Sequence, residues 1–180
     1  VILQKGKPWD TLTEIMAQKV TQGVGHRVLY ADLGSIGTYS VSHIIELVRL
    51  GIKCIPFNPF LFIKSQLNNR DHRKLMVIDG QIAYSGGVNL ADEYINHVEK
   101  FGIWKDIGFR ITGTGVKSYL YMFTEFWNAF SGDKLPRELF LEAPAQSIED
   151  GYILPYYDSP VKGEHTSNVL FTELLSTVTD

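Results

Sequence analysis

An imidazole and an ammonium group are encoded two residues apart in one apolar stretch of this 180-residue chain. His72 and Lys74 precede the run Leu-Met-Val-Ile, which predicts a strand, and side chains at positions i and i+2 share one face of a strand. We therefore expect the two groups to project together, while Arg73 points to the opposite face. A nucleophile or proton carrier beside a phosphate anchor would need this arrangement.

The predicted strand runs into a tight turn. Asp79 stands at an odd offset from both His72 and Lys74, and it pairs better with Gly80 as the Asp-Gly of a hairpin, with residues 81–85 as the returning strand. On this reasoning the carboxylate of Asp79 braces the turn.

Two glycines and an asparagine follow the returning strand. Gly86 and Gly87 would let backbone amides approach a ligand closely, and Asn89 would cap the next helix. A helix N-terminus attracts anions through its unpaired amides and its dipole. The hairpin is thus expected to lead the chain into an anion-binding bend.

These residues together resemble a known signature. The spacing matches the HxKxxxxD and GGxN motifs of the phospholipase D superfamily throughout, and the matching positions are His72, Lys74, Asp79, Gly86, Gly87 and Asn89. Three further tripeptides are similar to those of bacterial cardiolipin synthases: Asp92-Glu93-Tyr94, Trp104-Lys105-Asp106 and Asp158-Ser159-Pro160. A full member of that family carries two copies of the signature, and this chain carries one.

The resemblance implies a role for each matching residue. His72, Lys74 and Asp79 would be catalytic, although the turn reading of Asp79 comes first on local grounds. Lys74, Gly87 and Asn89 would bind phosphate. Asp106 would accept the second ring N–H of His72 and orient it, as the acid of a catalytic triad does. This chemistry requires no metal and no other cofactor.

The implied reaction joins two phosphatidylglycerol molecules into cardiolipin and releases glycerol through a phosphohistidine. A second half-site, either later in the same chain or in a homodimer partner, would supply the other histidine, and the substrate would be met at a membrane surface. Three alternatives stay open: a related phospholipase or nuclease that hydrolyses phosphodiesters, a phosphatidylserine synthase, and a silent half that only binds or assembles.

Composition restricts these classes. The net charge of −3 provides no broad cationic surface, so nucleic acid is not expected as a partner. Cys54 is the only cysteine, which favours a reducing compartment. No run approaches the roughly 20 apolar residues of a membrane span, so this segment is expected to be soluble. The resemblance instead implies a bacterial cell-membrane location through helices that precede the segment.

The order of predicted elements indicates an α/β fold. Helix 11–19, strand 28–31, a helix capped by Ser42 and strand 52–57 precede the hairpin, and strand 107–111 and helix 116–130 follow it. The resemblance implies a phospholipase D-like layered fold, a mixed β-sheet flanked by helices on both faces. We expect a first domain over residues 1–131, a linker over 132–151, and the beginning of a second half over 152–180, with a strand at 152–157 and a helix capped by Thr166 or Ser167.

For two loops the sequence predicts only a general role. The glycine-containing loop at 32–37 is expected to border the active site. The proline-rich aromatic run at 55–63 fits either an apolar lip that enters the bilayer interface or buried loop packing.

Overall fold

The structure is a computed structural model, and it describes residues 6–31, 41–57, 72–136, 138, 153–158 and 166–178. The loop at 32–37 and most of the aromatic run at 55–63 lie outside these residues. The chain divides into two compact units, one of Val1–Met76 with Tyr84–Phe109 and the other of Val77–Ala83 with Arg110–Asp180. The described residues contain helices together with parallel and other paired strands, which confirms the mixed α/β class.

A helix, strand, helix, strand sequence opens the first unit. Its elements are α1 (Lys7–Thr21), β1 (Arg27–Ala31), α2 (Val41–Arg49) and β2 (Lys53–Phe57). Strands β1 and β2 pair in parallel, with Val28 opposite Cys54. Apolar positions at helical and strand spacing meet in one buried cluster: Trp9, Met16, Tyr30, Leu47 and Ile52.

Both helices end at the glycines that the sequence indicated. Gly23 and Gly51 each have a φ of 83°, a left-handed conformation that glycine adopts without steric cost. The beginning of α2 differs from the prediction. The helix already includes Val41, so Ser42 lies inside it and is not its cap.

Helix α1 begins four residues before its predicted start. Pro8 occupies its first turn, where a missing N–H costs nothing, and the backbone N–H of Lys7 donates to Oδ1 of Asp92 at 2.7 Å. The carboxylate of Asp92 thus satisfies an end-group of α1 from a distant part of the chain, which local periodicity cannot indicate.

Three strands form a second sheet. They are β3 (Lys74–Ile78), β4 (Ile82–Gly86) and β5 (Gly108–Thr112), in the order β3-β4-β5. The described strands therefore lie in two sheets, where the sequence led us to expect one mixed sheet. A layered phospholipase D-like arrangement agrees with these elements and stays a prediction.

The long aromatic helix of the second unit forms as predicted. Helix α3 spans Val116–Phe130, and Val116 packs with Ala83 and Ile111 in a buried cluster that Tyr119 also contacts. The apolar stripe of α3 is thus a packing surface on this part of the sheet.

The residues after α3 are fixed to its last turn. The indole N–H of Trp127 donates to the carbonyl of Asp133 at 2.7 Å, and Oδ1 of Asn128 accepts from the N–H of Leu135 at 2.7 Å. The first residues of the predicted linker therefore pack against the helix, and nearly all of its remainder lies outside the described residues.

The C-terminal residues depart from the expected strand. Residues 153–158 are in neither helix nor strand, and Tyr157 instead donates to Glu125 and packs against Phe126, with ring centroids 6.5 Å apart. Helix α4 (Thr166–Thr177) follows. Its first turn is capped by Asp158, which accepts from the N–H of Ser167 at 2.8 Å, so neither predicted cap serves. Among the described helices, none has the length and apolar character needed to cross a membrane.

Candidate active site

His72 and Lys74 lie together, as their spacing predicts. Nζ of Lys74 is 2.9 Å from Nδ1 and 3.0 Å from Nε2 of the imidazole, and it donates to the His72 carbonyl at 2.8 Å. Lys74 is 9% exposed, whereas His72 is solvent-exposed. Strand β3 begins only at Lys74, so these polar contacts, not a shared strand face, bring the two groups together.

Strand β4 supports this pair through a residue that sequence reasoning missed. The two-residue turn of the hairpin places Ser85 opposite Lys74, and Oγ of Ser85 donates to the Lys74 carbonyl at 2.8 Å. This bond fixes the backbone from which the lysine side chain extends. The feature of the sequence that could have indicated this role is the position of Ser85 directly before the paired glycines.

The paired glycines are in close contact with the segment before β5. A Cβ at Gly86 would overlap the carbonyl of Ile107, and a Cβ at Gly87 would lie 2.6 Å from Oδ2 of Asp106. The N–H of Gly87, expected to face a phosphate, donates to the carbonyl of Ile107 at 3.1 Å. The glycines are therefore required because the segment before β5 crosses directly over them.

Asn89 is buried and does not cap a helix. Asn89 is only 3% exposed, and its Nδ2 donates to the hydroxyl of Tyr94 at 2.6 Å. The next helix is a four-residue 3-10 turn, Asp92–Ile95, with extended Ala91 before it. Asn89 lies two residues before the cap position Ala91, and the turn has only four residues. The prediction that Asn89 caps an anion-binding helix is therefore wrong.

An aromatic pair adjoins Asn89. The rings of Tyr94 and Trp104 have centroids 4.5 Å apart and are tilted by 52°. The side chain of Asn96 holds the tryptophan backbone at both polar groups, since Oδ1 accepts from the Trp104 N–H at 2.6 Å and Nδ2 donates to its carbonyl at 2.9 Å. Sequence reasoning noted Tyr94 and Trp104 only as family resemblances and did not detect that they meet.

Asp106 is bonded to its own loop. Its Oδ1 accepts from the N–H of Ile107 at 2.7 Å, and its Oδ2 lies 3.3 Å from the indole Nε1 of Trp104. Among the described residues, His72 is not one of its hydrogen-bond partners. The expectation that Asp106 orients the histidine is therefore not met here, and the carboxylate instead organises the loop that covers Gly87.

Asp79 occupies the hairpin turn, as its local pattern predicts. Asp79 and Gly80 have φ values of 50° and 66°, and the N–H of Gln81 donates to the carbonyl of Ile78 at 3.0 Å. Positive φ at both central residues defines the type I′ turn that matches strand twist. The turn lies at the opposite end of β3 from Lys74, so the backbone of Asp79 forms the turn as predicted, and bracing by its carboxylate stays a prediction.

Within the part of the chain that the structure describes, no group of three or more histidine, cysteine, aspartate or glutamate side chains is arranged to hold a metal ion.

Comparison with known proteins identifies relatives over most of the chain, although no protein-family model matches it. A cardiolipin synthase of Geobacillus thermodenitrificans is 37% identical over 142 residues, or 78% of this chain, and one of Oceanobacillus iheyensis is 39% identical over 145 residues, or 80%. An uncharacterized protein of Streptococcus mutans is 36% identical over 180 residues, or 99% of this chain.

The chain spans 28%, 29% and 39% of the lengths of these three proteins, respectively. Further cardiolipin synthases, from Geobacillus kaustophilus and Halalkalibacterium halodurans, are 36% and 33% identical over similar stretches. The site described above is thus carried by a chain related to the bacterial cardiolipin synthases of the phospholipase D superfamily.

Proposed function

We propose that this chain provides one of two half-sites of a phosphatidyltransferase that makes cardiolipin and glycerol from two phosphatidylglycerol molecules. The observation that carries the proposal is the contact of Nζ of the buried Lys74 with both ring nitrogens of the exposed His72. The names of the relatives support the lipid substrate, and the single signature supports the division into half-sites.

In the first step a ring nitrogen of His72, or the equivalent nitrogen of the second half-site, attacks phosphorus. The phosphorus–oxygen bond to glycerol breaks, and the other histidine protonates the departing glycerol oxygen. In the second step that histidine takes the proton from a hydroxyl of a second phosphatidylglycerol, whose oxygen attacks the phosphorus of the phosphohistidine, so that the phosphorus–nitrogen bond breaks and the nucleophilic histidine is released. Cardiolipin forms, and the ester bond is conserved without a nucleotide.

Lys74 has two partners in succession under this proposal. Without substrate its ammonium lies within hydrogen-bond distance of both ring nitrogens of the imidazole, one of which must attack phosphorus. The phosphate oxygens of a bound diester attract the ammonium more strongly than a neutral ring does. Substrate binding therefore moves the donor to the phosphate, where it stabilises the transition state, and frees the nucleophile.

We propose that residues outside the 180 described by this sequence complete the site. A second signature in cis or a homodimer partner would supply the second histidine, and membrane helices elsewhere in the protein would hold it at the cell membrane beside its lipid substrate. Exposed apolar side chains on α4, such as Val169 and Leu175, support an additional protein surface that covers this helix.

The test uses the full-length protein in vesicles of phosphatidylglycerol, with lipid products separated by thin-layer chromatography. We expect cardiolipin from the native enzyme and a loss of about 10³-fold in His72→Ala. His97→Ala, which removes an exposed imidazole elsewhere in the unit, should leave the rate unchanged. Phosphatidic acid as the product would identify a hydrolase, and phosphatidylserine formed with added serine would identify the sister synthase.

A covalent intermediate can be sought in the same protein. Enzyme quenched during turnover of phosphatidyl-labelled phosphatidylglycerol should carry label that is stable to alkali and lost in acid, as a phosphoramidate is. Cardiolipin formation without such label on a histidine of either half-site would refute the two-step route. Cleavage of plasmid DNA would instead favour the nuclease alternative.

A further inference from the structure

One end of the Asn89 amide has a hydrogen-bond partner, and the other end has none within the described residues. Nδ2 is 2.6 Å from the hydroxyl of Tyr94, while Oδ1 is buried and has no hydrogen-bond partner within the described residues. A buried polar atom without a partner costs on the order of 1–3 kcal/mol, so such an atom needs an explanation. A ligand that supplies the missing hydrogen bond would account for this atom.

The tyrosine hydroxyl can serve either end of the amide. A hydroxyl both donates and accepts, whereas the amide oxygen only accepts and the amide nitrogen only donates. If the amide rotates by 180°, Tyr94 donates to Oδ1 across the same distance, and Nδ2 takes the buried position that Oδ1 now occupies. The ionised oxygens of a phosphodiester only accept, so a bound diester favours this second orientation.

Tyr94 is itself held firmly. Its ring packs against Trp104 with centroids 4.5 Å apart, and Asn96 fixes the tryptophan backbone through two hydrogen bonds of 2.6 Å and 2.9 Å. The indole Nε1 also lies 3.3 Å from Oδ2 of Asp106. The hydroxyl is thus presented to the amide from a fixed ring, so the amide and not the ring is the group that adjusts.

We propose that Tyr94 is a positioning residue for Asn89: its hydroxyl binds Nδ2 in the free protein and Oδ1 after the amide rotates, and it thereby holds Nδ2 in place against the phosphate of a bound diester. This inference rests on the proposed function, since it requires a phosphodiester at the site. It adds to that function a residue that acts only through Asn89 and need not touch the substrate.

The primary variant is Tyr94→Phe in the full-length protein, which removes one oxygen and keeps the ring beside Trp104. We expect kcat/KM for phosphatidylglycerol to fall by about 10-fold, the value of one hydrogen bond, and the thermal unfolding temperature to decrease because the buried Nδ2 loses its partner. Tyr84→Phe is the matched control, because Tyr84 is a partly exposed tyrosine of β4 outside this network. An unchanged kcat/KM in Tyr94→Phe would overturn the proposal.

A double-mutant cycle with Asn89→Ala separates positioning from a general structural effect. If Tyr94 acts through the amide, its hydroxyl has nothing left to position once Asn89 is truncated, and Tyr94→Phe should then cause no further loss. An equal loss from Tyr94→Phe in both backgrounds would show a role independent of Asn89 and would overturn the proposal.

Binding of inorganic phosphate to the same four proteins, measured by titration calorimetry, distinguishes this proposal from the proposed function. If the native enzyme forms no cardiolipin but Tyr94→Phe weakens phosphate binding only when Asn89 is present, the proposed function fails and the positioning role stands. If cardiolipin forms and Tyr94→Phe affects neither turnover nor phosphate binding, the positioning role alone fails.

Discussion

At the residue scale, the carboxylate of Asp106 occupies the space into which a side chain at position 87 would project. Gly87→Ala would bring a Cβ to 2.6 Å from Oδ2 of Asp106. We expect the free energy of unfolding to fall by about 1–3 kcal/mol, as for other overpacked sites. Gly25→Ala is the matched control, because nothing lies within 4 Å of its added carbon. Urea denaturation measures both.

A second substitution tests whether the carboxylate is the obstacle. Asp106→Ala removes the atoms that meet the new Cβ, so the double variant Gly87→Ala/Asp106→Ala should lose less stability than the sum of the single variants. A strictly additive loss would place the obstacle in the backbone of this loop and would contradict the close approach described here.

The proximity of His72 and Lys74 could be predicted from sequence because the two residues are only two positions apart, although the strand face that the prediction assumed begins only at Lys74. The bond from Asn89 to Tyr94 could not be predicted, since an irregular bend and a 3-10 turn separate the two residues and neither has a simple periodicity. Asp106 was assigned to His72 by resemblance, whereas its hydrogen bonds within the loop arise from an irregular backbone that sequence patterns do not specify.

At the element scale, the hairpin turn provides a direct test of Asp79. Asparagine tolerates positive φ at least as well as aspartate, so Asp79→Asn should keep the type I′ turn and change stability by about 0.5 kcal/mol or less. If the residue only braces the turn, cardiolipin formation by the full-length protein should be retained within about twofold. A large loss of kcat in a stably folded variant would restore the catalytic role that the resemblance implies.

Gly80→Ala serves as the comparison for the turn itself. Gly80 has a φ of 66°, where an added Cβ costs about 1–2 kcal/mol. Its free energy of unfolding should therefore decrease while that of Asp79→Asn does not. Equal stability of the two variants would contradict the observed turn type.

Strand β2 gives a prediction through its cysteine. Burial raises the pKa of the Cys54 thiol to about 12 from an ordinary value of 9.0. Because only the thiolate reacts with alkylating reagents, Cys54 should react slowly with iodoacetamide at pH 9 in the native protein and rapidly in urea. A raised folded-state pKa also means that stability is intact below pH 9 and declines as the pH rises toward 12.

Substitution isolates the contribution of this thiol. Cys54→Ala should lessen the decline in stability between pH 9 and pH 11, since the variant has no thiol to ionise on unfolding. Rapid labelling of the native protein at pH 9, or an unchanged alkaline decline in the variant, would show that β2 leaves the thiol accessible to water.

The elements that sequence predicted well depend on local signals: the stops at Gly23 and Gly51, the Asp-Gly turn and the long aromatic helix. Those that it missed depend on distant partners. Asp92 moves the beginning of α1 to Lys7 by a hydrogen bond across 85 residues, and Asp158 caps α4 by a hydrogen bond from a residue nine positions before Ser167. No propensity or periodicity in either segment indicates such a bond.

At the scale of the whole molecule, apolar surface is distributed unevenly. The core residues of each unit are closely packed, yet α4 buries none of its residues and exposes five large apolar side chains on or just after it: Val169, Phe171, Leu174, Leu175 and Val178. An exposed apolar patch of this kind is typical of a surface that binds another protein segment. This distribution supports the proposal that the site is completed by a second half.

The C-terminal residues nevertheless have their own attachment, and this allows a final prediction. Tyr157 donates to Glu125 and its ring packs against Phe126 of α3. Tyr157→Ala removes both interactions, which together are worth about 2 kcal/mol, and should increase amide hydrogen exchange in residues 153–158 and 166–178. Exchange mass spectrometry of the two segments measures this effect.

The neighbouring tyrosine provides the control for that experiment. Tyr156 is 40% exposed, so Tyr156→Ala makes the same truncation one residue earlier in a less buried position. Because the attachment is assigned to the side chain of Tyr157, exchange should rise in that variant and stay near the native rate in Tyr156→Ala. Equal exchange in the two variants would mean that the segment is held by its backbone or by α4, and the beginning of the proposed second half would then be anchored independently of α3.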